Sequence, residues 1–369
     1  MNKQGHFGLF ETVALITLVI MSKILYTSIP VVVKSTGTAS WYEALISCSV
    51  TIIFFLIIYQ LIKRFPGMDI VEIYEAVLGK VIGKALGFLF TCYVFYYAAT
   101  SIREFLVMIK SYVLPNTKES IIYISFIGVI VLIVYKGLES LARLSYISFF
   151  PILGGLILIL IMAYPYYNPD YIKPYMGYGL KNTITTGVLR SSAYQEVLNL
   201  FIIIKSIHDR GNVLKAGLIS LVISGIMFSV SLLLYVMMFT YLVGSENLSG
   251  IFAMSKAIYF SRYFQRVETI FLFPWVVSSL ITSAAACYSA LYLYCTTFEI
   301  NNYKPLILPF SFLIYVLAAM PKNVIEFMQV NLAFVRMYSM VFIYGIPILA
   351  LLVAVITGKR GEKLSAKEN

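Results

Sequence analysis

The sequence predicts an all-α, polytopic membrane protein of about ten transmembrane helices in two inverted five-helix halves. Composition predicts it first: hydrophobic residues make up 60% of the chain and charged residues 12%, against roughly 45–50% and 25% in an ordinary soluble domain. The apolar residues fall in long runs, and about 20 of them cross a bilayer core as a helix. Short joints containing Pro, Gly and Asn separate the runs, and no stretch is left over for a soluble domain. Backbone in lipid must satisfy its own hydrogen bonds, which makes each run helical, and the alternating pattern of a membrane β-barrel is absent.

In chain order, the first run covers residues 8–32. It is too long for a cleaved leader and no small-residue cleavage site follows, so it reads as a permanent helix. The second, 40–62, stops before Pro66 and Gly67, and the third, 83–110, before Pro115 and Asn116. Runs 119–136 and 142–164 complete a first half spanning 8–164, and a joint rich in Pro and Tyr, 164–178, follows it. Runs 183–205, 212–243, 267–298, 304–320 and 331–357 form the second half, 183–357, ahead of a basic tail at 358–369. The whole of 1–369 reads as one membrane domain, with breaks at 209–211 and Pro321 inside the second half. An odd number of spans per half inverts the second half. Each half also carries a short amphipathic segment between its second and third spans, 68–79 and 248–264, which reads either as the mark of an inverted repeat or as two unrelated loops. In the first of these Ile70, Ile73, Tyr74 and Val77 share a helical face while Asp69, Glu72 and Glu75 point elsewhere, which predicts a helix along the membrane interface.

The formal charge of +11 raises nucleic acid as a partner, but Lys and Arg are scattered through loops and tail, which a lipid bilayer explains better. Loops on the N-terminal side carry more of them, predicting both termini cytoplasmic. The cysteines Cys48, Cys92, Cys287 and Cys295 lie inside apolar spans and read as small buried hydrophobes without a disulfide framework. Gly79-Lys80-Val81-Ile82-Gly83-Lys84 has the wrong spacing for a phosphate loop, and His6 and His208 are isolated. No metal cluster, cofactor site or catalytic constellation is expected, and an enzyme reading has little support.

In transporters built from inverted repeats, the ligand sits where the first helix of each half is interrupted and frees backbone groups. The first run holds Ser22, Lys23, Tyr26, Thr27, Ser28 and Pro30. Pro30 removes the hydrogen bond to residue 26. The sixth run holds Gly187, Arg190, Ser191, Ser192, Gln195 and Glu196, a cluster polar enough to break a short helix. A charge at bilayer centre costs at least ~2.5–3.5 kcal/mol, so Lys23 must face the protein interior. It acts there either as a fixed cation or proton carrier at the site, or as half of a structural ion pair, with Glu196 the natural partner. Tyr93, Tyr96, Tyr97, Thr100, Arg103 and Glu104 form a polar, aromatic stripe on the third run. Arg103 and Glu104 diverge by about 100° on a helix, so each needs its own partner. In the eighth run Ser278 and Thr282, with Ser279 and Ser283, either supply hydroxyls to a coupling cation or permit close helix packing. The expected ligand contacts are therefore Ser22, Lys23, Tyr26, Thr27, Tyr97, Thr100, Glu104, Ser191, Ser192 and Glu196. Ion or proton coupling is assigned to Lys23, Arg103, Glu104, Ser278 and Thr282.

Several strings are shared with a known family. Arg64-Phe65-Pro66-Gly67, Leu78-Gly79-Lys80 with Gly83-Lys84, and Arg103-Glu104-Phe105 carry the likeness most strongly. Gly37 with Trp41, Leu114-Pro115-Asn116-Thr117, Gly137-Leu138-Glu139 with Ala142-Arg143, Glu196, and Arg266-Val267-Glu268 with Trp275 support it in order along nearly the whole chain. The chain resembles the spore germination protein family, the integral-membrane B subunits of nutrient germinant receptors, within the amino acid–polyamine–organocation superfamily. The resemblance implies a LeuT-like fold with helices one and six broken, the inner membrane of a bacterial endospore, A-type and C-type receptor subunits as partners, and an amino acid germinant. The chain departs from the family in having Ser22 and Lys23 where Gly is frequent at the first break, and Lys118 where Pro is common. A Lys amine there would reject cationic ligands and hold a carboxylate.

Three readings compete: a germinant sensor whose ligand biases partner subunits between two conformations, a proton- or sodium-coupled amino acid permease, and a structural scaffold of the receptor complex. The scaffold leaves Lys23, Arg103, Glu104 and Glu196 without a role.

Overall fold

The computed structural model describes residues 7–208, 211–259 and 267–361. Lys3, His6, Asp209, Arg210, Arg262, Arg266 and residues 362–369 of the expected basic tail lie outside the described residues. Helices dominate, and the one extended pairing among the described residues is a parallel bridge between Phe7 and Ile207.

Helix α1 (Leu9–Leu25) starts where Glu11 accepts the Gly8 N–H at 3.2 Å, and it is buried along nearly its whole length. It stops at Tyr26, whose ψ of −144° leaves the helical region, and Thr27 makes the turn into α2 (Ser28–Thr36). Pro30 sits in the first turn of α2, where its missing N–H is no loss. Gly37, at φ 63°, supplies the left-handed residue that lets α2 turn into α3 (Ser40–Arg64). Next comes α4 (Ile70–Leu78), capped reciprocally by Asp69 and Glu72, and then α5 (Lys80–Tyr112), about 50 Å long at 1.5 Å per residue. Helices α6 (Glu119–Lys136) and α7 (Leu138–Met162) meet at Gly137 (φ 90°).

The sixth run is interrupted as the first is. Helix α8 (Leu180–Leu189) gives way to tighter 3₁₀ winding over Arg190–Leu198, with Tyr194 out of helical geometry, before the single turn of α9 (Asn199–Ile202). There follow α10 (Gly211–Met238), α11 (Tyr241–Gly244), α12 (Gly250–Ala257), α13 (Glu268–Thr297) and α14 (Ile307–Ala319). The last span is built from α15 (Val324–Glu326), α16 (Ala333–Met340) and α17 (Ile346–Ile356), joined by π-helical winding at Phe327–Leu332 and Val341–Gly345. It starts seven residues earlier than its apolar run, because Asn323 caps it through the Glu326 N–H and hides the first turn behind polar residues.

Among the described residues, seven helices are long and apolar enough to cross a membrane, with Lys304–Ala319 a shorter apolar helix. The two interrupted runs fall short of that length because they are interrupted. Helices α1, α10 and α13 are central, with α1 packed against α10, α7 and α13, and α13 against α5 and α7. Close approach depends on small residues: a Cβ on Gly217 of α10 would lie 2.1 Å from the Phe55 ring of α3. Helices α6 and α14 bury few side chains and form the rim.

The predicted apolar face of α4, Ile70, Ile73, Tyr74 and Val77, is the buried one, and one expectation, on the cysteines, needs correction here. The N-cap residue of α4 is buried too: Asp69 is 1% exposed, ion-paired with Lys205 at 3.1 Å and bonded by the Tyr292 hydroxyl at 3.2 Å. Helix α4 is thus also tied to the end of the sixth run, because its N-cap carboxylate has a cation to meet there. Of the cysteines, Cys48, Cys287 and Cys295 are buried, but Cys92 lies on the outer face of α5.

Candidate binding site

The two interruptions face one another. Lys23, in the last turn of α1, sends its ammonium across to the 3₁₀ segment of the sixth run. It lies 2.7 Å from Glu196 Oε1 and donates to Glu196 Oε2 at 2.8 Å and to the Ala193 carbonyl at 2.6 Å. The Tyr97 hydroxyl of α5 donates to Glu196 Oε1 at 2.7 Å, so the buried carboxylate is fully engaged. Glu104, two turns further along α5, accepts the Thr27 N–H at 3.3 Å and the Thr27 hydroxyl at 2.5 Å, which clamps the first break to α5. Arg336 of α16 donates to Thr27 Oγ1 at 3.0 Å and stands 3.7 Å from Glu104 Oε1, while its own carbonyl accepts the Ser192 hydroxyl at 3.0 Å. One residue of the last span therefore touches both interrupted runs. A third pair, Arg190 with Glu43 of α3 at 3.7 Å, closes the side.

These groups surround a cavity of about 610 Å³, its open mouth included. Of the expected ligand contacts, Ser22, Lys23, Tyr26, Tyr97, Thr100, Glu104 and Ser192 line it. Thr27 and Glu196 stand behind that lining and hold it through Glu104, Arg336 and Lys23. Ser191 is not brought to the cavity: it is fully buried, and its carbonyl accepts from Thr51 and Tyr344 on the side away from it. Arg103 is likewise elsewhere. It bonds Glu119 and the Tyr123 hydroxyl, each at 3.0 Å, and the Pro321 carbonyl at 3.0 Å, so it locks α5 to α6 and to the start of the last span. Its divergence from Glu104 follows from their adjacency on one helix. Ser278 and Thr282 also lie outside the cavity lining, with buried hydroxyls that make no hydrogen bond among the described residues.

The sequence reading passed over Arg336 and Glu43, and named Arg190 without a partner. The signal was present: each is ionisable inside an apolar run, the same cost argument that picked out Lys23. Nothing in the sequence indicated which partner each would find.

A second cavity, of about 360 Å³, lies beyond the first. Along α5, Tyr97, Thr100 and Glu104 line the first and Phe90, Tyr93 and Tyr97 the second; along the sixth run the order is Ser192 and Gln195, then Gln195, Glu196 and Ile202. Both helices place the same layer between the cavities: Tyr97, the Lys23–Glu196 pair, and Gln195 held by the Tyr93 hydroxyl at 2.6 Å. Among the described residues no group of three His, Cys, Asp or Glu side chains is placed to hold a metal ion.

Comparison with known proteins agrees with this architecture. The family model described as spore germination protein matches residues 9–327. The chain belongs to the spore germination protein family. Within it, the chain is 23% identical over 339 residues to spore germination protein KB of Bacillus subtilis (strain 168), covering 90% of this chain and 91% of that one. To spore germination protein YndE of the same organism it is 24% identical over 363 residues, 95% and 96% of the two chains. Spore germination protein GerQB of Bacillus cereus is 30% identical over 138 residues, 37% of each chain. Among solved structures, Mhp1, a nucleobase-cation-symport-1 family transporter in a closed conformation with bromovinylhydantoin bound, matches with a TM-score of 0.65 at 15% identity, covering 94% of this chain and 78% of that one. The family member described here is thus an integral membrane protein with the LeuT-like transporter fold that its sequence predicts.

Proposed function

We propose that the chain is the membrane subunit of a spore germinant receptor, and that it binds a small nutrient, an amino acid, in the cavity between its two interrupted helices and thereby triggers germination. The observation that carries this reading is the cross-break ion pair. Lys23 and Glu196 join the interruptions at the floor of the cavity, so a ligand arriving there bears on both halves of the protein at once. Ligand affinity that differs between two arrangements of those halves is all that a sensor requires. In this reading residues 8–164 and 183–357 are the inverted repeats, both termini are cytoplasmic, the membrane is the spore inner membrane, and A-type and C-type subunits receive the signal.

A permease is the second reading, favoured by the second cavity beyond the Tyr97 and Lys23–Glu196 layer. A path would then run through both cavities, with Ser278 and Thr282 as ligands of a coupling cation. Reconstitution into liposomes separates the readings through labelled amino acid binding, then uptake under proton and sodium gradients. Binding without uptake supports the sensor, and concentrative uptake supports the permease. If even the complete receptor assembly binds nothing, a scaffold remains.

A further inference from the structure

Three cations border the cavity, and they differ in how much hydrogen-bonding capacity is already used. An ammonium has three donors. Lys23 donates to Glu196 Oε2 and to the Ala193 carbonyl, and its ammonium lies 2.7 Å from Glu196 Oε1. The lysine that the sequence marks as a carboxylate holder is therefore committed to a buried carboxylate already. Arg336 is in the opposite state. A guanidinium carries five donors in a planar fork suited to a carboxylate. Among the described residues the side chain of Arg336 makes one hydrogen bond, to Thr27, with Glu104 standing off at 3.7 Å. Its side chain is 27% exposed, against 18% for Lys23 and for Arg190, and its partner Glu104 lines the cavity, whereas Arg190 pairs at 3.7 Å with Glu43, which does not. On the facing helix Glu104 spends Oε1 on Thr27, while Oε2 makes no hydrogen bond among the described residues.

We propose that Arg336 receives the carboxylate of a zwitterionic ligand and Glu104 its ammonium, so that the ligand inserts into a loose ion pair already facing the cavity. This rests on the reading of the cavity as an amino acid site. Charge conservation favours it: a zwitterion replaces each partner of the pair with a group of the same sign, so no uncompensated charge enters the buried site. An analogue lacking either charged end leaves one side chain unpaired. Because Arg336 also holds Thr27 through its side chain and Ser192 through its carbonyl, insertion of the ligand pulls on both interrupted helices. Two π-helical segments bracket α16, and such windings are frequent where a helix serves a functional site.

The test uses purified protein in lipid nanodiscs, titrated calorimetrically with the standard L-amino acids and with the carboxamide and N-acetyl derivatives of each. Wild type is expected to bind at least one amino acid roughly 10- to 100-fold more tightly than either derivative. Arg336→Gln should bind acid and carboxamide alike, Glu104→Gln should bind amine and N-acetyl forms alike, and Arg336→Lys should keep a reduced preference for the acid. Should Arg336→Gln fail to fold, Arg336→Lys carries the test, and a preference equal to wild type counts against the assignment. If Arg336→Gln keeps the preference for the acid, or if Arg190→Gln or Lys23→Met is the variant that loses it, the assignment is overturned while the amino acid site stands. If wild type binds none of the amino acids, alone or in the complete receptor assembly, the amino acid reading falls and the assignment falls with it.

Discussion

Replacing Lys23 with Met tests the floor of the cavity most directly. Methionine keeps most of the volume but removes all three donors, leaving Glu196, whose side chain is 1% exposed, with only the Tyr97 hydroxyl for its carboxylate. The Ala193 carbonyl loses the lysine donor as well. Breaking one side of a buried ion pair costs about 3–5 kcal/mol, since the remaining charge stays desolvated without its partner. With an unfolding entropy of about 2 cal/mol/K per residue, that cost lowers the thermal midpoint of a chain this long by about 4–7 °C. The double substitution Lys23→Met with Glu196→Leu removes the orphaned charge and should recover most of the loss, because apolar replacement of a buried pair is often close to neutral. The measurement is thermal unfolding in detergent for the two single variants and the double. A midpoint unchanged in Lys23→Met, or a double variant as unstable as the sum of the singles, would refute the claim that the two charges compensate one another inside the protein.

Three further outcomes are expected. Arg103→Gln should lower stability by about 2–4 kcal/mol through lost charged hydrogen bonds to Glu119, Tyr123 and the Pro321 carbonyl, yet leave ligand affinity within twofold in the same titration. Gly217→Val should cost about 1–3 kcal/mol by overpacking against the Phe55 ring, seen as a lower thermal midpoint that Phe55→Leu partly restores. In a background lacking the native cysteines, Ile202→Cys, on the wall of the second cavity, should resist a small thiosulfonate reagent. Adding Lys23→Met or Tyr97→Ala should expose it, while Ile281→Cys, buried elsewhere in α13, stays protected; equal labelling of both positions would mean general loosening instead of an opened layer.

Much of the fold was legible because the constraint is local. A chain dissolved in lipid must bring about 20 apolar residues together and bond its own backbone, so run length and punctuation by themselves locate the helices. The breaks were legible for the same reason, since Pro30 and the polar cluster from Arg190 to Glu196 are incompatible with a plain lipid-facing helix. The last span was placed too late because Lys322, Asn323 and Glu326 mask its first turn.

What the sequence by itself determined is that the chain crosses a membrane as helices, that its first and sixth runs are interrupted, and that the charges inside those runs must find partners. Only the tertiary structure decided who pairs with whom. Lys23 and Glu196 are 173 residues apart and Arg336 and Thr27 are 309 apart, and hydropathy prices a buried charge without saying which helix brings its counter-charge. Arg103 and Glu104 show the difference most plainly: neighbours in sequence, they are turned apart by the helix, one to lock the scaffold and the other to face the cavity.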